Sequence, residues 1–313
     1  MRPRDIGLAV AVTAIWGFNF VVIETGLDHF PPLLFNALRF TLAAFPALLF
    51  AGRPQVPWRW IVAVGLILGV TKFSLLFAGM AAGMPAGLSS LVLQSQAVFT
   101  LGFAVLVLRE RPRPVQLAGL LLCVAGVALV ATRMGANLGA FLLIVAAGAA
   151  WGLANIATRK ASPPDTLRFM IWASAVATGP LWLLTLLVDG PPADLTAFTS
   201  EALWALAYVA LISTLAAFAG WGYLLKTYGA STVAPFSMLV PFFGLASAAL
   251  FLQEQIHPVD IAGALLVIGG ILVGLIRRGR RTTPPPAEAG PPAQRSSPGE
   301  LRAASVGPSG CRG

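Results

Sequence analysis

Ten apolar stretches, each close to the length of a bilayer crossing, follow one another along most of this chain. They run over about 6–25, 32–51, 59–80, 86–108, 114–132, 138–157, 168–188, 202–223, 231–252 and 258–276. A helix needs about 20 apolar residues to cross the hydrocarbon core. The chain is 57% apolar and only 11% charged, where soluble domains carry about 25% charged residues. A soluble fold is therefore excluded. The expected fold class is an all-α integral membrane protein with ten transmembrane helices.

A duplication organises those spans. RERPRPVQLAGLLLCVAGVALV, from Arg109 to Val130, recurs 144 residues later as QEQIHPVDIAGALLVIGGILVG, from Gln253 to Gly274. Glu110 then aligns with Glu254, Pro114-Val115 with Pro258-Val259, Ala118-Gly119 with Ala262-Gly263, and Gly126 with Gly270. Five spans separate the copies. An odd number of crossings delivers the second copy upside down, so the expected architecture is two inverted five-helix repeats, residues 1–133 and 134–276. Inverted repeats are a common basis of alternating access. Trp16-Gly17 finds an echo in Trp151-Gly152 at an offset of 135, which implies an insertion within the second half.

The net charge of +9 raises the question of nucleic acid, and the placement of the charges answers it. With a cytoplasmic N-terminus, every Lys and Arg falls inside except Arg133 in an outer loop and Arg39 and Lys72 within spans. That is the positive-inside pattern, so both termini are expected to be cytoplasmic and no nucleic-acid partner is expected. Arg2 and Arg4 precede an apolar run with no small-residue cleavage site, and the first span reads as an uncleaved helix. Cys123 and Cys311 make no disulfide framework. From Arg277 to Gly313 the composition turns to Pro, Gly, Ser and Arg, and this segment reads as a disordered cytoplasmic tail. Its cluster Arg277, Arg278, Arg280 and Arg281 reads as a topology anchor or a contact with anionic lipid.

Small residues four apart (Gly65/Gly69, Gly79/Gly83, Gly148/Gly152, Gly270/Gly274) would let helix backbones approach closely. Pro46, Pro180, Pro235 and Pro241 fall inside spans, where proline frees a carbonyl and kinks a helix. Leu91 and Ala97, which align with Pro235 and Pro241, are not proline, so the two halves are expected to kink differently.

Polar groups within the spans are the candidates for a solute pathway. Arg39 stands near the middle of span two, where a charge costs at least about 2.5–3.5 kcal/mol on insertion scales. It reads either as an anion contact whose guanidinium grips a carboxylate or as an architectural arginine. Lys72, two-thirds along span three, reads as a ligand group or as a snorkelling side chain. Gln94 and Gln96 in span four suit a neutral or zwitterionic solute, because amides donate and accept; interhelical bonding explains them equally well. Trp16 with Asn19, and Trp151 with Asn155, share faces of spans one and six and would suit a midplane cavity. Glu110 and Glu254 end spans four and nine at opposite faces, where a carboxylate meets an unfavourable helix dipole; a partner is expected, and a gate ion pair with arginine is the reading for Glu110. Neither metal-ligand spacing nor a nucleophile elbow nor a phosphate loop occurs, so no cofactor, metal or catalytic residue is expected.

Three passages carry a family resemblance: WGFNFVVIETGLDHFPPLLFNALRF (16–40), GMPAGLSSLVLQSQAVFT (83–100) and VAPFSMLVPFFGLASAALFLQEQ (233–255). The chain resembles the drug/metabolite transporter superfamily in its EamA-domain branch, over residues 1–276, and is most similar to the O-acetylserine/cysteine exporter subgroup. The resemblance implies an inner-membrane carrier that exports small amino-acid-like metabolites, with Trp16, Asn19, Arg39, Gln94 and Gln96 at matching segments. Lys72 departs from that pattern, as does Glu254-Gln255, where the subgroup's fourth helix is followed by a Glu-Arg pair. A carrier or exchanger of another metabolite, such as a sugar phosphate held by Arg39 and Lys72, is the alternative. A lipid-modifying membrane enzyme would need clustered acid–base residues that the spans do not supply.

Overall fold

The computed structural model describes residues 1–190 and 198–275; the basic cluster from Arg277 and the expected tail lie outside them. Ten helices cover the described residues: α1 (Pro3–Leu27), α2 (Pro32–Ala51), α3 (Trp58–Ala81), α4 (Ala86–Leu108), α5 (Pro114–Ala131), α6 (Leu138–Ala161), α7 (Thr166–Asp189), α8 (Ser200–Tyr228), α9 (Ala234–Phe251) and α10 (Pro258–Leu275). The first nine are long and apolar enough to cross a membrane, and α10 is a shorter apolar helix. This is a multi-pass membrane protein. Proline opens α1, α2 and α5, at positions whose N–H has no intrahelical acceptor in any case.

The duplication is written into the backbone as well as the side chains. Arg109 and Gln253, aligned at the 144 offset, both follow their helix in the left-handed conformation, at φ 55° and 56°. The next residue's amide closes each end on an equivalent carbonyl: Glu110 N to Ala104 O at 3.2 Å, and Glu254 N to Ala248 O at 3.3 Å. The fifth helix of each half then starts with matching caps, Gln116 Oε1 accepting from Arg113 N at 2.9 Å and Asp260 Oδ2 from His257 N at 3.0 Å.

Both third helices widen into a π segment at the equivalent place, Gly65–Lys72 in α3 and Tyr208–Ala216 in α8. Such a bulge disturbs the regular ladder and frees a carbonyl. Gly69 O and Ser213 O, again 144 apart, are each met by a side chain: Asn36 Nδ2 at 3.3 Å and Trp16 Nε1 at 3.1 Å.

Glycine governs how the halves meet. On α5 and α10, a Cβ at Gly119 would overlap the Gly270 carbonyl, and one at Gly270 would lie 2.5 Å from Gly119 O. The symmetry-related pair repeats this, Gly126 against Gly263 O at 2.8 Å. Cys123 Sγ donates to Val267 O at 3.3 Å between them, and Val267 is Cys123's own counterpart, so the pseudo-two-fold axis passes here. The first helix of each half crosses the fourth of the other by the same device. Gly17 lies against Phe243 and Gly244 N of α9, and Gly152 against Phe99 and Thr100 N of α4.

Two expectations need correction. Gly83 is not a helix-packing glycine; it follows α3 at φ 97°, a turn conformation that favours glycine. Nor do the halves differ in where their fourth helix breaks. Pro235 and Pro241 sit in and just after a 3₁₀ segment, Ala234–Met238, where Pro235 begins the turn instead of bending a continuous helix. The proline-free α4 breaks at the corresponding place, Leu93–Ser95. There the cause is packing, since Gly148 of α6 lets its backbone approach Ser95 and Gln96.

Candidate functional site

Arg39 and Lys72 come from different helices and end on one aromatic ring. The Arg39 guanidinium carbon lies 4.0 Å from the Phe73 ring centroid and the Lys72 Nζ 3.4 Å from it. Lys72 Nζ is also 4.9 Å from the Trp151 ring. Both side chains are buried, 2% and 5% exposed. Lys72 therefore does not snorkel. Arg39 gives Nε and Nη2 to Thr214 Oγ1 of α8 at 3.3 and 3.0 Å, while its Nη1 is buried without a partner. Among the described residues neither cation is ion-paired.

The energies come close to balance. Two mid-membrane cations cost at least about 5–7 kcal/mol on insertion scales, and desolvated cation–π contacts return roughly 2 kcal/mol each. A hydroxyl acceptor for Arg39 adds a further 1.5–3 kcal/mol or so. What stays unmet is hydrogen bonding: the buried Nη1 of Arg39 has no acceptor, and an anion would supply one. The site also sits where both π segments converge, Lys72 closing the one in α3 and Thr214 lying within the one in α8.

Asn36, fully buried one turn before Arg39, donates to Gly69 O and Ser74 Oγ, and its Oδ1 has no partner. Asn19 on α1 is likewise buried with a partnerless Oδ1. Gln94 is buried beside Ser95 in the 3₁₀ turn of α4. Trp16 uses its indole N–H on Ser213 and packs on Phe218 and Trp221, centroids 5.4 and 5.1 Å away. Gln96 and Asn155 bond one another at 2.8 Å, with Thr100 as a second acceptor for Asn155 at 3.0 Å; this amide cluster ties α4 to α6. The structure thus unites Arg39, Lys72 and Trp151, and sets Gln96 and Asn155 apart as a pair. Thr214, Phe73 and Asn36 escaped sequence reasoning; only Asn36, three residues before Arg39 on the same helical face, left a readable trace.

The two repeat-related glutamates have different partners. Glu254 receives two backbone amides at the start of α4, Ala86 N on Oε1 at 2.7 Å and Gly87 N on Oε2 at 3.1 Å. Positive partial charge at a helix N-terminus attracts a carboxylate, and the absence of a Cβ at Gly87 admits it, since one would lie 2.9 Å from Oε2. Burial raises the Glu254 carboxyl above its ordinary range, with the Gly87 and Ala86 amides pulling the other way. Glu110 at the opposite face pairs with Arg159 of α6 at 2.6 Å. The expected arginine partner of Glu110 is present, on α6 and not in the adjoining loop. On the Glu254 face, Arg133 and the buried Asp260 also pair between α5 and α10.

A model of the EamA-like transporter family matches residues 4–132 and 138–276. The chain is 39% identical over 295 residues to a Salmonella typhimurium protein named a probable amino-acid metabolite efflux pump, covering 90% of this chain and 98% of that one. An Escherichia coli protein of the same name is 38% identical over 287 residues, covering 88% and 96%. A solved crystal structure superposes with a TM-score of 0.61 at 20% identity, over 87% of this chain and 96% of that one; this likeness concerns the fold.

Proposed function

The chain belongs to the EamA-like transporter family, and on that premise we propose that it exports small amino-acid-like metabolites of the O-acetylserine/cysteine type across the inner membrane, both termini cytoplasmic. The observation that carries the substrate class is the pair Arg39 and Lys72, buried on one ring with no counter-ion among the described residues. Its proposed role is to hold the solute carboxylate. Asn19, Gln94 and Asn36 offer polar groups to the rest of the solute, Trp151 and Trp16 wall the site, and the Gln96–Asn155 pair sets its floor between α4 and α6. The names of the two efflux-pump relatives support the same reading.

Movement follows from the symmetry: residues 1–133 and 134–276 rock against each other about the glycine-lined α5–α10 contact. Glu254 is proposed as the outer latch, because it joins the end of α9 to the start of α4. Glu110 with Arg159 is its proposed inner counterpart. Pro235 and Pro241, at the start of α9, allow that helix to swing. Charge-assisted bonds contribute roughly 1.5–3 kcal/mol each. Losing both should therefore, in Glu254→Ala, speed labelling of an Ala248→Cys reporter, in a Cys123→Ser, Cys311→Ser background, by an impermeant maleimide about a hundredfold. Unchanged labelling would remove Glu254 from the gate.

Sugar phosphate exchange is the second reading, favoured by the same two cations. Cells loaded with labelled O-acetylserine, and vesicles loaded with labelled glucose 6-phosphate, separate the two. Saturable loss of the first and retention of the second is the expected result.

A further inference from the structure

We propose that this site selects solutes of net negative charge, an amino acid bearing a second anionic group, and that Lys72 is the residue that sets this preference. The inference rests on the amino-acid exporter reading above and, within it, places doubly anionic amino acids ahead of O-acetylserine. A zwitterion brings one carboxylate and one ammonium. With Arg39 and Lys72 both protonated, its carboxylate answers one of them, while its ammonium adds a third positive charge to an apolar interior. An amino acid with a second carboxylate, sulfonate or phosphate answers both and leaves its ammonium balanced.

The geometry supports a division of labour. Arg39 has two of its nitrogens committed to Thr214 and one buried and unpartnered, Nη1, so it has capacity for one more acceptor. Lys72 Nζ, by contrast, has aromatic faces for neighbours, Phe73 at 3.4 Å and Trp151 at 4.9 Å, and no hydrogen-bond acceptor among the described residues. An ammonium carries three donors. A second anionic group on the solute is the acceptor that Lys72 lacks. Because the two cations lie against the same ring, 4.0 and 3.4 Å from its centroid, two anionic groups a few bonds apart on one small molecule reach both.

The test is counterflow into proteoliposomes carrying the purified full-length chain. Labelled O-acetyl-L-serine serves as the zwitterionic probe, and L-aspartate and O-phospho-L-serine as the anionic ones. The wild type is expected to favour the anionic probes tenfold or more. Lys72→Gln should shift that ratio tenfold or more toward O-acetylserine, and Lys72→Arg should keep the wild-type preference. A monodisperse elution profile for each variant shows that it folds; should Lys72→Gln not fold, the wild-type ratio together with Lys72→Arg still decides. A wild type that favours O-acetylserine, or a folded Lys72→Gln with an unaltered ratio, overturns the inference while leaving amino-acid export in place. Movement of glucose 6-phosphate with no amino acid transported would instead overturn the exporter reading.

Discussion

Arg39→Ala is expected to lower transport about a hundredfold at equal expression. Hydrogen bonds to a charged group contribute roughly 1.5–3 kcal/mol each, and at least one to the solute would be lost with the guanidinium. Efflux from preloaded vesicles measures this directly. Arg39→Lys should recover only part of the rate, because a lysine supplies charge without the planar fork that engages two oxygens of a carboxylate. Thr214→Val should fall between them: the cation stays, but the hydroxyl that orients Nε and Nη2 is gone. If Arg39→Ala transports as the wild type does, the guanidinium is architectural and the site lies elsewhere.

Gly119→Leu is expected to prevent stable folding, and Gly102→Leu to leave it intact. At Gly119 even a Cβ would overlap the Gly270 carbonyl and lie 2.8 Å from Gly274 N, both backbone atoms of α10. Overpacking costs about 1–3 kcal/mol where side chains can yield, and more where they cannot. A backbone ridge cannot yield, so α5 and α10 would have to separate along their length. At Gly102 nothing lies within 4 Å of an added Cβ, and that face of α4 is exposed. Thermal unfolding in detergent and the yield of monodisperse protein read both variants. Equal behaviour of the two would mean that the close α5–α10 approach does not hold the halves together.

The helices were legible because lipid leaves a chain few choices, and long apolar runs follow. The repeat was legible because the α5–α10 contact depends on residues that cannot vary freely: Gly119, Gly126, Gly263 and Gly270 each face opposing backbone or a tightly packed side chain. The α1 and α6 crossings were visible only as Trp16-Gly17 and Trp151-Gly152, since elsewhere on those helices many apolar residues serve equally. The paired π segments left no trace in sequence. They are a change in hydrogen-bond register, and a run such as GLILGVTK reads as ordinary apolar helix.

The site was half legible for a related reason. Arg39 and Lys72 stand out as charges in apolar surroundings. Thr214 and Phe73 do not, being common residues that acquire a role only when α8 and α3 come up against α2. Glu254 shows the same limit more sharply. Without an arginine beside it the sequence offers no partner, because the partners are the main-chain amides of Ala86 and Gly87, which any residue but proline carries. Glu110, whose partner Arg159 is a side chain, could be anticipated in kind though not in place.

The measurement closest to the central claim is efflux of labelled amino-acid-like solutes from proteoliposomes, comparing wild type with Arg39→Ala and with protein-free vesicles. The account predicts saturable efflux through the wild type, competed by excess unlabelled solute and reduced about a hundredfold in the variant. Efflux from the wild type no faster than from protein-free vesicles, or equally fast through Arg39→Ala, would contradict it.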